Sequence, residues 1–247
     1  MHNFWQEGVF PVRKDFINRT STWVGTDTEE NFIKNKPPGY TADSVFYIFN
    51  SNGFRTHEID PTSNKDTILC LGCSHTEGVG VQNPWPVLLA NYFPDYTVYN
   101  LGTQGSSADT VSRTLVNVAS VLKPKIVFIL WPDFSRFETY HAQYGNGESM
   151  YNYDSGYIKQ HGHWNMNKWA LDHYDELTAH NRYYQHKLIV DFVASKYDFC
   201  TVDYHISDVD NWGKTMEVDR ARDNEHYGPR THQHLADLLY KKYQSLT

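Results

Sequence analysis

Residues 67–74 read Thr67-Ile68-Leu69-Cys70-Leu71-Gly72-Cys73-Ser74, and the fold follows from how they are read. A short apolar run halted by a glycine is the pattern of a strand buried on both faces. Working outward, residues 84–93 form a helical pattern with prolines at its entry. Thr97-Val98-Tyr99-Asn100-Leu101 gives a second strand. Ser107 to Leu122 carries apolar residues at 111, 115, 118, 119 and 122, which is helical spacing, with Asp109 early and Pro124 beyond the end. Lys125 to Trp131 is a third strand, residues 168–196 a long helix, Phe199 to Asp203 a fourth strand and residues 229–245 a closing helix. Strands alternating with helices predict an α/β fold, a three-layer α/β/α sandwich around a central parallel sheet.

In such sheets, sites form beyond the carboxyl ends of the strands. Gly72–Ser74, Gly102–Gly105 and Trp131–Asp133 all fall at such ends, so three strands send candidate residues to one edge. A serine just past a strand end can present its hydroxyl in a cleft while its own N–H faces the same space. That suits a nucleophile which also helps to bind an oxyanion; the plainer reading of Ser74 is a helix cap. Near the C-terminus, Asp223-Asn224-Glu225-His226-Tyr227-Gly228-Pro229 leads into the last helix. If the loop turns back, the Asp223 carboxylate fixes the His226 tautomer and leaves Nε2 to take a proton from Ser74. Asp203-Tyr204-His205 is a competing pair, and a solvated loop histidine is the plain alternative for His226.

Composition narrows the function. The chain has 247 residues, 40% hydrophobic and 21% charged, enough for a sizeable core and against wholesale disorder. A net charge of -7 gives no footprint for nucleic acid or an anionic membrane. The N-terminal residues lack a basic stretch followed by an apolar run, and no segment approaches 18 apolar residues. The expectation is a soluble chain without a signal peptide, cytoplasmic by default. Cys70-Leu71-Gly72-Cys73 has the C-x-x-C spacing, but it begins inside an apolar strand and no second such pair completes a zinc site. Neither a metal nor a cofactor is expected. Residues 1–60 read as an N-terminal extension packed on a main domain over 61–247, with a strand at 44–50 and a turn at 51–53. The stretch 139–186 is rich in Tyr, His, Trp and Asn and reads as an insertion over the cleft, suited to stacking on sugar faces.

Three blocks together resemble the SGNH/GDSL hydrolases over roughly residues 44–245. Gly72-Cys73-Ser74-His75-Thr76-Glu77-Gly78 is similar to the first block, Asn100-Leu101-Gly102-Thr103-Gln104-Gly105 to the second, and Asp223-x-x-His226 with Gly228-Pro229 and His232 to the last. The resemblance implies a flavodoxin-like sandwich with Ser74 as nucleophile, His226 as general base and Asp223 as its orienter. It also implies oxyanion donors from the Ser74 and Gly105 backbone N–H groups. Two departures stand out. Cys73 replaces the usual Asp before the serine. The third block, Leu130-Trp131-Pro132-Asp133-Phe134-Ser135-Arg136, lacks the Asn whose side chain normally completes the oxyanion hole. Asp133 is the nearest positional match, yet an ionised carboxylate would repel an oxyanion, and losing one such donor costs about 2.7–4 kcal/mol. Ser135, Arg136 and His75 are the neighbouring candidates for substrate contact.

The leading expectation is an ester hydrolase working through an acyl-enzyme on a small-molecule or glycan ester, an O-acetyl group on a carbohydrate among them. Two alternatives stay open: an O-acyltransferase with the same triad, and a non-catalytic carbohydrate-binding protein on a decayed hydrolase fold.

Overall fold

The computed structural model describes residues 7–141, 149–154, 176–208 and 219–246. Among the described residues, eight strands and six α-helices run in the order β1 (Thr20–Ser21), α1 (Glu29–Asn35), β2 (Tyr47–Ile48), β3 (Thr67–Gly72), α2 (Ser74–Glu77), α3 (Trp85–Ala90), β4 (Thr97–Asn100), α4 (Ala108–Leu122), β5 (Ile126–Trp131), β6 (Arg136–His141), β7 (Ser149–Asp154), α5 (Glu176–Tyr197), β8 (Cys200–His205) and α6 (Pro229–Gln244). Four strands form one sheet in the order β4-β3-β5-β8, every pair parallel. The continuous apolar runs of β3 and β5 have a physical cause. Leu69, Leu71, Val127 and Ile129 face a core shared with α4 and α5, while Ile68, Cys70, Phe128 and Leu130 face a core shared with α3 and α6. Alternate residues are therefore buried on opposite sides, and helices cover both faces, which is the three-layer α/β/α arrangement.

The strand order fixes where a site can form. From β3 the chain moves to β4 on one side, then crosses back to β5 on the other, so the winding reverses between β3 and β5. A crevice opens at the carboxyl ends of strands at such a switch point, and Ser74 is the second residue past β3.

Several boundaries depart from the sequence pattern. The strand expected over 44–50 shrinks to Tyr47–Ile48, paired antiparallel with Thr20–Ser21. The flanking Phe49 and Val45 instead build a small core with Val24 and Tyr47. Of the helix expected over 168–196, residues 168–175 lie outside the described residues, and α5 begins at Glu176. Within the stretch 139–186, β6 and β7 pair as an antiparallel hairpin. Residues 176–186 belong to α5 beneath the sheet, and His161, His163, Trp164 and Trp169 lie outside the described residues. Among the described residues no helix is long and apolar enough to cross a membrane.

Candidate active site

Gly72 makes the turn that starts the site. Its φ is 152°, and a Cβ there would lie 2.2 Å from Thr76 Oγ1 and 2.6 Å from the Leu130 carbonyl oxygen. Only a residue without a side chain lets the backbone leave β3 so close to β5. The chain then enters the four-residue helix α2, with Cys73 as its N-cap and Ser74 as its first residue. Ser74 is thus inside the helix rather than its cap.

The C-terminal loop brings the other groups. Asp223 Oδ1 accepts from the N–H groups of Glu225 and His226, each at 3.0 Å. The Ala221 N–H closes on the His226 carbonyl at 3.0 Å. This tight turn explains why an Asp and a His three residues apart can meet. His226 Nδ1 lies 2.5 Å from Asp223 Oδ2, and His226 Nε2 lies 2.8 Å from Ser74 Oγ. With Nδ1–H donating to the carboxylate, Nε2 is left unprotonated and accepts from the serine hydroxyl. Burial works against ionisation of Asp223, but the His226 hydrogen bond and charge, the His226 backbone N–H and the Thr26 hydroxyl outweigh it and hold the carboxyl down at about 2.

Ser74, His75, Gly105, Arg136 and His226 line one cleft of about 500 Å³, together with Gly25, Thr26, Val79, Gln104 and Glu225. The Ser74 and Gly105 backbone N–H groups have no acceptor among the described residues. The loop bearing Gly105 is sewn to α2. The Gln104 N–H donates to Glu77 Oε2 at 2.8 Å, and the Asn100 side chain donates to the Thr76 carbonyl at 2.9 Å while accepting from the Gly102 N–H at 3.0 Å.

Not every candidate converges. Asp133 is exposed and accepts from the Ser135 N–H at 2.8 Å, an Asx turn outside the cleft lining. Ser135 is likewise absent from that lining. His75 does reach the cleft lining, but its half-buried ring packs against its neighbours, 4.7 Å from that of His226 and 4.1 Å from that of Tyr227. Burial keeps its imidazole neutral, and charge on His226, His232, Arg136 and Arg220 acts in the same direction. Asp203 is taken up by Trp131 Nε1 and Lys187 Nζ, and His205 stacks on Phe134 with ring centroids 3.7 Å apart, so this pair serves the end of β8 instead. Cys70 and Cys73 are free and buried in the α3–α6 core. Among the described residues, no group of three or more His, Cys, Asp or Glu side chains is arranged to hold a metal ion.

A second Ser-His-Asp constellation exists. Ser112 Oγ lies 2.7 Å from His186 Nδ1, and His186 Nε2 lies 3.2 Å from Asp109 Oδ1. Here burial of Asp109 is overcome by hydrogen bonds from His186 and Arg182, so its carboxyl is held well below the usual range. Ser112 is fully buried, and its hydroxyl is also within hydrogen-bonding distance of the Ala108 and Asp109 carbonyls of its own helix. The group is a polar clamp between α4 and α5 that a substrate cannot reach.

Sequence reading missed the N-terminal contribution. Thr26 Oγ1 donates to Asp223 Oδ2 at 2.7 Å across 197 residues of chain. Asp27 and Arg222, both 0% exposed, form an ion pair at 2.7 Å one residue away from that contact on each side. Arg13 pairs with Glu77 at 2.9 Å beneath α2. Residues so far apart share no spacing that a sequence pattern can report. The one available signal was chemical: Arg222 sits beside a candidate catalytic Asp in a segment that must turn back on itself.

No protein-family model matches the chain, and no curated protein matches it. Solved structures similar to it include a lipase/acylhydrolase from Enterococcus faecalis (13% identity, TM-score 0.38, 73% of this chain and 96% of that one). A psychrotrophic esterase from Pseudoalteromonas matches at 15% identity and TM-score 0.38, covering 73% of this chain and 98% of that one. A catalytic mutant of an acetylxylan esterase from Geobacillus stearothermophilus matches at 12% and 0.40, covering 73% and 94%. Superpositions this loose assign no role to any residue, so the chemistry rests on the chain's own geometry.

Proposed function

We propose that the protein is a serine-dependent ester hydrolase of the SGNH/GDSL type. The observation that carries this reading is the continuous relay from Ser74 Oγ through His226 to Asp223, at 2.8 and 2.5 Å, opening into a cleft. Ser74 Oγ attacks the ester carbonyl carbon as its proton passes to His226 Nε2. The carbonyl electron pair moves onto oxygen, facing the Ser74 and Gly105 N–H groups. Collapse breaks the C–O bond, and the leaving alkoxide takes the proton from Nε2. Water then attacks the acyl-enzyme, gives a proton to Nε2, and Ser74 regains it as the acid departs. Asp223 keeps the imidazole in the required tautomer throughout.

Arg136 takes the place of the missing Asn. It lines the cleft with Ser74, whereas Asp133 and Ser135 do not, and a guanidinium is a fixed cationic donor set suited to an oxyanion. The substrate class is an O-acyl ester. Acetyl groups on carbohydrate are the first to try, because the segment from Tyr140 to Trp169 is dense in aromatic, imidazole and amide side chains. The test is hydrolysis of p-nitrophenyl acetate together with labelling by a fluorophosphonate. Ser74→Ala should abolish both; labelling that persists in that variant would rule out this nucleophile.

A further inference from the structure

We propose that the N-terminal segment Gly25-Thr26-Asp27 is a working part of the catalytic centre, with Thr26 as the residue that positions the Asp223–His226 pair. The inference deepens the hydrolase reading and rests on it.

Four donors converge on the Asp223 carboxylate. Oδ1 takes the Glu225 and His226 amides, and Oδ2 takes His226 Nδ1–H at 2.5 Å and the Thr26 hydroxyl at 2.7 Å. A carboxylate offers about four lone-pair sites, so this one is filled and cannot rotate. Thr26 Oγ1 also approaches His226 Nδ1 to 3.5 Å. A hydroxyl has a single proton, and the nearer carboxylate receives it. Thr26 therefore fixes the oxygen that fixes the imidazole.

The segment's own placement is over-determined. Val24 and Asp27 bridge one another, and the Thr26 carbonyl accepts from the Asn31 side chain at 2.7 Å. Asp27 takes the Arg222 guanidinium through both oxygens and the Tyr47 hydroxyl at 2.5 Å. Asp27 thus holds residue 222 while Thr26 holds residue 223. The Arg222 N–H reaches the Gly80 carbonyl at 3.0 Å, and Tyr47 Oη accepts from the Gly80 N–H at 2.8 Å, so the same network ties the C-terminal loop to the chain leaving α2. Gly25 and Thr26 also line the cleft beside Ser74. A segment that merely covered the core would need none of these contacts with the acid of the relay.

Thr26 is exposed, so its replacement leaves the core intact. Thr26→Val keeps the shape and removes the hydroxyl, Thr26→Ala removes both, and Thr26→Ser restores the donor. Steady-state kinetics with p-nitrophenyl acetate give kcat and KM, and proton NMR follows the downfield resonance of the His226 Nδ1 proton shared with Asp223. We expect kcat to fall about tenfold in Thr26→Val and Thr26→Ala with KM unchanged, the scale of one hydrogen bond to a charged group. Thr26→Ser should stay within about twofold of the parent. The resonance should move in Val and Ala and return in Ser. An unchanged kcat in Thr26→Val, or a loss of kcat without movement of the resonance, overturns the proposal. Should the parent protein neither hydrolyse the ester nor react with the fluorophosphonate, the Ser74 reading fails by itself, and the resonance still decides whether Thr26 positions the pair.

Discussion

Replacing Asp27 by Asn should destabilise the protein by about 3–5 kcal/mol, the range for removing one partner of a buried ion pair. Both side chains are 0% exposed. The Arg222 guanidinium spends its donors on the two Asp27 oxygens and on the carbonyls of Thr22, Ala42 and Val45, with its carbon 3.9 Å from the Trp23 ring centroid. An Asn keeps one acceptor oxygen, but its amide must face either the guanidinium or the Tyr47 hydroxyl, both donors toward this position. The positive charge then stays buried without a counter-ion. At about 2–4 °C per kcal/mol for a chain of this size, the midpoint of thermal unfolding should drop by about 6–20 °C. Calorimetry and urea unfolding measure it. The double variant Asp27→Leu with Arg222→Met separates charge from packing. With both charges gone, apolar side chains of similar volume should recover most of the loss, so the two single costs should be strongly non-additive. A loss below about 1 kcal/mol in Asp27→Asn, or simple additivity in the double variant, would refute the claim that this pair is dry and mutually dependent.

Two further outcomes follow from the carboxylates and hydroxyls of the two constellations. Asp223 titrates at about 2 rather than 3.8, so its ionised form contributes about 2 kcal/mol of stability that is complete above pH 4 and lost as the pH falls through about 2. Asp223→Asn should flatten the stability-against-pH curve over that window, and should cut kcat by orders of magnitude because the imidazole tautomer is no longer fixed; an unchanged acid limb in urea unfolding would contradict it. Ser112→Ala should leave fluorophosphonate labelling and esterase kcat at the parent level, since that hydroxyl is enclosed between α4 and α5. A loss of labelling in a variant that keeps its parent thermal midpoint would make the buried group the reactive one.

The sheet was legible because its signal is local. β3 and β5 carry continuous apolar runs, and each needs burial on both faces whatever the rest of the chain does. The relay was legible in outline for a similar reason. Ser74 follows a strand end, and Asp223 and His226 share one tight turn, so most of the geometry is set within a few residues. Legibility failed where the determinants are non-local. The two-residue pairing of β1 with β2 is flanked by the Thr22, Ala42 and Val45 carbonyls that Arg222 binds, contacts that the β-branched content of residues 44–50 does not report. Thr26, Glu77 and Arg13 act through contacts to residues that no spacing links to them. The third block was ambiguous for a different reason. Asp133, Ser135 and Arg136 are neighbours in sequence, and only the Asx turn closed by Asp133 separates the side chain that reaches the cleft from the two that do not.

The two Ser-His-Asp groups show what separates the proposed site from a clamp. Distances alone do not, because Ser112 to His186 is 2.7 Å and Ser74 to His226 is 2.8 Å. The difference lies in where the fold puts them and in what else each hydroxyl contacts. Ser112 sits mid-helix against a second helix, where a polar group must be satisfied internally or destabilise the core. Its single proton has an acceptor in His186 Nδ1 or in a carbonyl of its own helix, so the hydroxyl is satisfied without solvent. Ser74 starts a helix at the switch point of the sheet, where the first backbone N–H groups have no helix carbonyl a turn earlier in the chain to bond. The same geometry that leaves the Ser74 amide without an acceptor among the described residues puts Ser74, though largely buried, on the lining of the cleft. Histidine orientation follows suit: at Ser74 the imidazole offers Nε2 while Nδ1 binds the carboxylate, and at Ser112 the roles of the two nitrogens are exchanged. In the proposed hydrolase, Ser74 is placed to act as nucleophile because the strand order opens a crevice at that point, and the N-terminal segment closes around the carboxylate that holds its histidine.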